Sequence, residues 1–355
     1  MMKTTAISVL ILTVLLSPVA RADIVDEHPE WFGITEVPSS ESLSSASMEP
    51  LTRAFMVPAQ SQGWADMLSF VYDRIDTILV VGSEEEKDDL VEWMLGRGVE
   101  LSPDESRWMI VDEAPETAFI GDWGAIPLRD QNGKLVMLDG KYFQIRPHDD
   151  AMGSRMVEKL GSFAHRPPIF VTGAYFQNSD DGVCLVSHKL YSINVGIGNQ
   201  EIFHALEEYA GCSTIIQLQT LEQDGEGRLD FIVRAIGQNR FILAGTKFWG
   251  DSKSETTMAN NKAMILDAVE DAEIIEIDIP NPSETGAVRS YLTYLEVPGA
   301  LLIPIFEPLE FEFEQDQALV SLGSLYPEYS LHTIPCDGLV EVDLWPSRMV
   351  AGVPD

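Results

Sequence analysis

Positive charge is scarce in this chain. Lys and Arg number 23 against 57 Asp and Glu, a net charge of −34 over 355 residues. Such a surface repels nucleic acid and anionic lipid, which need clustered cations. It favours solubility, and it would attract a cationic small molecule or a basic peptide. Histidine is also scarce. The six histidines show no metal-ligand spacing, so no metal centre and no cofactor are expected. Cysteine is limited to Cys184, Cys212 and Cys336, each in or beside a β-like apolar run where a small core residue fits. A disulfide is allowed, but spacing does not choose the pair. A dinucleotide loop is missing, since Gly196-Ile197-Gly198 lacks the third glycine and the helix entry. After the first 22 residues no apolar run is long enough to span a bilayer as a helix.

Those first 22 residues have a different character. Lys3 supplies a positive start, Ala6 to Leu16 is apolar apart from Ser8 and Thr13, and Ala20-Arg21-Ala22 has a small-x-small cleavage form. The pattern predicts a signal peptide, residues 1–22, and export to the periplasm or the medium. Cleavage would remove two cations and no acid. Residues 23–50 read as a flexible N-terminal segment, because Pro38 to Pro50 holds six serines and no apolar periodicity. Residues 51–355 read as one domain, long enough to bury a large core.

Within that domain strands and helices alternate. Thr77 to Gly82 is β-branched, and Ser83 then caps a helix opening on Glu84, Glu85 and Glu86, where the helix dipole favours acids. That helix ends near Gly96. Trp108 to Val111, Ile169 to Thr172 and Val183 to Ser187 read as strands, and Glu201 to Ala210 as a helix stopping at Gly211. Lys134 to Leu138 and Lys141 to Ile145 are predicted to form a hairpin over Asp139-Gly140. Leu229 to Ala235 and Arg240 to Ala244 form a second antiparallel pair. Met258 to Val269 and Asp316 to Leu322 read as helices; Ile274 to Ile279, Ala300 to Pro304 and Leu331 to Ile334 read as strands. Glu307 to Glu314, acids alternating with apolar residues, reads as an exposed edge strand that could dock a basic peptide. Alternation argues α/β. Hairpins between the units argue against a simple doubly wound sheet, and a cyclic array of ββαβ-type modules fits better.

Seven runs carry a resemblance. They are Gly121-Asp122-Trp123-Gly124; Tyr142 with Arg146-Pro147-His148-Asp149-Asp150; Thr172-Gly173-Ala174-Tyr175-Phe176; Asp224 to Asp230; Arg289-Ser290-Tyr291; Leu302-Ile303-Pro304; and Tyr326-Pro327 followed by Gly352-Val353-Pro354. In this order and spacing they resemble the agmatine deiminase and bacterial peptidyl-arginine deiminase family. That family belongs to the guanidino-modifying (pentein) superfamily. The resemblance implies a five-bladed α/β propeller. It also implies a reaction in which a cysteine thiolate attacks a guanidinium carbon, ammonia leaves, and water hydrolyses the thiouronium intermediate. Such chemistry needs a nucleophile, a histidine to move protons and carboxylates to hold the cation.

Only part of that equipment is present. Where the family reads Arg-Asp-x-Gly, this chain has Gly121-Asp122-Trp123-Gly124; where it reads Gly-His-x-Asp, the chain has Gly227-Arg228-Leu229-Asp230. Thr172-Gly173-Ala174 stands for Glu-Gly-Gly. Counting back from Pro354 puts Ser347 at the family's second histidine and Arg348 at its cysteine. The resemblance therefore implies guanidinium-binding roles for Asp122 and Asp230, supporting roles for Arg146, Asp149, Asp150 and Thr172, and degenerate catalytic positions at Arg228 and Arg348. Cys336 lies twelve residues before Arg348, and a reactive cysteine needs a base and an activating site. His332 and His148 read as packing or loop residues. Two buried carboxylates without a cation are costly. Arg228 or Arg348, bearing the same group as the family's substrate, would fill the pocket from within by bidentate pairing. The alternative is that both point to solvent.

Three functions compete. The chain is an exported pseudoenzyme that acts by binding a cationic ligand or a protein partner. It is an active hydrolase that deiminates agmatine, arginine or peptidyl-arginine through a misplaced thiol. Or it is a rigid structural body. Missing thiol and histidine favour the first and third.

Overall fold

One pattern recurs along the chain: an antiparallel hairpin, a helix, and a third strand parallel to its neighbour. The computed structural model describes residues 24–38, 43–112, 114–179, 181–246, 252–281, 287–307 and 312–355. The predicted signal peptide lies outside them. Among the described residues there are five sheets, two of four strands and three of three. Phe176–Asn178 pairs antiparallel with Val183–Ser187, which runs parallel to Thr214–Leu218 after the helix Asn199–Ala210. Val233–Ala235, Arg240–Gly245, the helix Ser252–Ala268 and Glu273–Asp278 repeat the scheme. So do Leu295–Val297, Ala300–Ile305, the helix Glu312–Leu325 and Ser330–Pro335. The C-terminal strand Ala351–Val353 pairs antiparallel with Arg53–Met56, so both ends of the domain share one sheet.

Sequence accounts for these elements locally. Ser83 Oγ accepts from Glu86 N, and the helix Glu84–Leu95 ends at Gly96 as expected. Gly211 takes a left-handed conformation that closes Asn199–Ala210. The middle strands are buried almost throughout: Leu185, Val186, Ile242, Leu301 and Ile303 are closed to solvent, each contributing about 1.5–3 kcal/mol. Cys184 and Cys212 form a disulfide with Cα atoms 5.7 Å apart. It closes a 28-residue span around a helix, worth about 3.6 kcal/mol on loop-closure grounds.

Two expectations are corrected. The hairpin over Asp139-Gly140 does not form. Leu135–Leu138 pairs instead with Ile126–Arg129, and the turn runs through Asp130, whose Oδ1 accepts from Asn132 N and Lys134 N. Gly140 serves packing: a Cβ there would lie 2.1 Å from the Val171 carbonyl oxygen. Residues 312–314 open a helix rather than continuing an edge strand, while 308–311 lie outside the described residues. In the described part of 23–50 a few side chains tie the segment to the domain. Trp31 is buried and its indole donates to Glu158 Oε1 at 3.0 Å. Ser44–Ser45 adds a strand beside Ile126–Arg129, and Ser47 Oγ donates to Asn178 Oδ1 at 2.7 Å. Ser45 and Ser47, two of the serines that read as linker, hydrogen-bond Asn178 through their hydroxyls.

Candidate functional site

Three distant stretches of chain converge on Asp122. The first is the short helix Ile120–Trp123, which holds Asp122 at 4% exposure. The second is the C-terminal turn Pro346–Met349, which carries Ser347 and Arg348. Gly121 lets them meet: a Cβ there would stand 2.1 Å from Ser347 O and 3.0 Å from Arg348 Cα. A larger residue before Asp122 would therefore push Arg348 away. The third stretch is Asp224 to Asp230. Asp224 Oδ1 accepts from Glu226 N and its Oδ2 from Arg228 N, at 3.1 and 2.5 Å, and Gly227 has φ of +77°. This tight turn sends Arg228 inward.

Arg228 is 1% exposed and grips Asp230 with two parallel hydrogen bonds, Nε to Oδ1 at 3.0 Å and Nη2 to Oδ2 at 2.8 Å. Its Nη1 donates to Asp122 Oδ2 at 2.9 Å. Arg348 Nε forms an ion pair with the same Asp122 oxygen at 2.8 Å, and its Nη1 lies 3.3 Å from Glu226 Oε2 and donates to Asp343 O at 3.0 Å. The Arg348 guanidinium stacks 3.6 Å above the Phe119 ring. Ser347 Oγ donates to Asp230 Oδ2 at 2.6 Å. Burial by itself would lower the Arg228 pKa, but the charges of Asp122 and Asp230 outweigh it and hold the group well above its usual value. Burial pushes the Asp224 carboxyl up to about 6, against the backbone N–H groups it accepts from. It also pushes the Tyr175 phenol up to about 12, with help from Glu226 and Asp122.

The other candidates are dispersed. Asp149 lies one layer behind: it accepts from Thr117 N and Oγ1, and Thr117 Oγ1 in turn accepts from the Trp123 indole at 3.0 Å. Burial, and then the neighbouring Glu116, raises the Asp149 pKa. Asp150 belongs elsewhere, accepting from Arg166 Nη2 and Tyr142 N, both at 2.6 Å. Arg146 sits 5.8 Å from the Phe119 ring centroid. Thr172 is buried beside the site, where Gly173 N donates to Asp122 O at 2.9 Å. Cys336 is fully buried, and burial, with Asp337, raises its thiol pKa. His332 packs edge-on against Phe70 at 5.1 Å, and His148 donates its backbone N–H to Glu116 at 3.2 Å. Glu226 and Phe119 were not singled out from sequence. Glu226 lies inside the Asp224–Asp230 run, where its acidity was a signal; Phe119 carries none.

A cleft of about 210 Å³ adjoins the cluster, its walls including Asp230, Ser347, Asn178, Arg234, Phe176 and Val233. No group of three or more His, Cys, Asp or Glu among the described residues could hold a metal. No helix among them is long and apolar enough to cross a membrane.

Residues 59–343 match the family model described as Porphyromonas-type peptidyl-arginine deiminase. No curated protein matches the chain in sequence. Solved structures resemble it in fold. An agmatine deiminase from C. jejuni is 17% identical with a TM-score of 0.67, over 87% of this chain and 95% of that one. An agmatine deiminase of Enterococcus faecalis is 13% identical with a TM-score of 0.71, over 91% and 99%. A Porphyromonas gingivalis protein described as an arginine deiminase is 16% identical with a TM-score of 0.71, over 88% and 98%.

Proposed function

Because the chain belongs to the Porphyromonas-type peptidyl-arginine deiminase family, we propose that it is a pseudoenzyme of that family, a binding protein whose guanidinium cradle is filled by its own arginine. The observation that carries this reading is the bidentate pairing of Arg228 with Asp230 while it also reaches Asp122. A substrate guanidinium would need those same oxygens. Arg228 also stands where proton transfer would need histidine, and Arg348 where attack would need a thiol. Cys336 offers no substitute, since burial favours its thiol form over the thiolate that attacks. Asp122 and Asp230 thus hold a cation supplied from within. The five sheets serve as blades of a five-bladed propeller, and the protein is exported after loss of residues 1–22.

The test is direct. Purified protein is incubated with agmatine, arginine and an arginine-containing peptide, and ammonia is measured. No release above the protein-free blank is expected. Sustained ammonia release abolished by Cys336→Ala would replace this reading with an active hydrolase.

A further inference from the structure

Once Arg228 occupies the cradle, the cleft beside it has lost its appetite for cations. Asp230, the only acidic wall residue among the described residues, is matched by two Arg228 hydrogen bonds and one from Ser347. What remains unmatched in the wall is of the opposite character. Arg234 stacks on the Tyr294 ring at 3.8 Å and donates Nη1 to the carbonyls of Leu292 and Tyr294. Among the described residues, no carboxylate lies within ion-pair distance of it; Glu296 and Asp230 act only at longer range. Asn178 is 3% exposed and accepts Ser47 Oγ on Oδ1; its Nδ2 is buried and has no hydrogen-bond partner among the described residues. A buried donor without an acceptor is costly unless a neighbouring group satisfies it. Gln177, by contrast, is satisfied, giving Nε2 to Val233 O and receiving Ala235 N. The rest of the wall is apolar, with Ile126, Phe176, Val233 and Leu292.

We propose that this cleft binds a small carboxylate with a short apolar body. The carboxylate would meet Arg234 beside the buried Asn178 amide, and the body would lie against Phe176 and Leu292. The site rests on the reading that Arg228 stays in the cradle. The net charge of −34 opposes an anion at a distance. Screening confines that opposition to about 8 Å at physiological salt, so the contact with Arg234 decides.

The experiment titrates the full chain with butyrate, glutarate and agmatine, by calorimetry and by thermal shift. Butyrate and glutarate should bind and raise the melting temperature, and agmatine should do neither. Asn178→Asp keeps the acceptor for Ser47 and puts a negative charge in the wall; it should weaken carboxylate binding at least tenfold. Arg234→Gln should do the same and Arg234→Lys less. Failure of both carboxylates to bind, or equal binding by wild type and Asn178→Asp, overturns the proposal. Ammonia from agmatine would instead overturn the pseudoenzyme reading, so the two failures are told apart.

Discussion

Arg166 and Arg228 are each at least 98% buried, and each is set between two aspartates. Arg166 meets Asp139 at 2.9 Å and Asp150 at 2.6 Å; Arg228 meets Asp122 at 2.9 Å and Asp230 at 2.8 Å. The ion chemistry is the same, but the connections differ. Asp139 follows the strand Leu135–Leu138, Asp150 lies on the helix Pro147–Leu160, and Arg166 follows the strand Ala164–His165. That cluster staples one sheet unit to its own helix. Arg228 instead reaches 106 residues away to Asp122 and shares that carboxylate with Arg348 near the C-terminus. Burial of an arginine among acids is thus not a functional mark by itself. The cluster that joins distant stretches beside a cleft calls for a functional account, and the local staple does not.

The largest expected effect falls on the staple. Arg166→Met leaves Asp139 and Asp150 without their cation, and Asp139 is closed to solvent. Breaking such a buried pair costs about 3–5 kcal/mol, read from urea unfolding. A loss under about 1 kcal/mol would mean that the two aspartates take up protons at little expense, and the comparison would break there. Arg228→Ala should cost less, about 3 kcal/mol at the low end of that range. Arg348 still faces Asp122, and Ser347 still donates to Asp230. On the pseudoenzyme reading, this variant should also acquire a site for agmatine. At a hundredfold excess over Kd, ligand linkage restores about 2.7 kcal/mol. Wild type stabilised by agmatine to the same degree would show that Arg228 does not hold the cradle.

The sequence made the Arg228 cluster easier to foresee than the staple. Gly227-Arg228-Leu229-Asp230 sits in a recognisable motif, so a pairing of Arg228 with Asp230 could be argued from type and spacing. Arg166 belongs to no such motif, and its partner Asp139 stood before a glycine, where the pair reads as a turn. The physical reason for that glycine is the Val171 backbone pressed against it, a contact made by chain 31 residues further on that no local pattern encodes. Helices were legible because caps and acidic first turns are local, as at Ser83 and Gly211. Asp150 lies in a family-like run that points to the site, but its carboxylate faces Arg166. Asp149, from the same run, supports Asp122 only through Thr117 and Trp123.

That indirect support can be tested by pH. Burial and Glu116 hold the Asp149 carboxyl protonated more tightly in the folded chain than in the unfolded one. The stability this gives is fully present below the unfolded value near 4 and is lost as pH rises through the higher folded value. A tenfold change in proton affinity is worth about 1.4 kcal/mol, and we expect a decline of at least that size from pH 5 to pH 8 in urea unfolding. Asp149→Asn should shrink it, leaving the share of Asp224, whose carboxyl burial also raises, to about 6. An unchanged slope in the variant would locate the pH response elsewhere.

The smallest effect is at Ser347, the residue placed where the family would keep a histidine. Its hydroxyl donates to Asp230 Oδ2 at 2.6 Å, but that oxygen also receives Arg228 Nη2. Ser347→Ala in the wild type should therefore cost only about 1 kcal/mol, because the carboxylate stays satisfied. In the Arg228→Ala background the same hydroxyl is the last donor described on Asp230, and its loss should cost more. Contacting residues in one network are expected to be non-additive by about 0.5–3 kcal/mol. A double-mutant cycle read from urea unfolding measures that term. Additive costs would mean that Ser347 and Arg228 do not share Asp230 in solution, and the cluster would then be no more connected than the staple around Arg166.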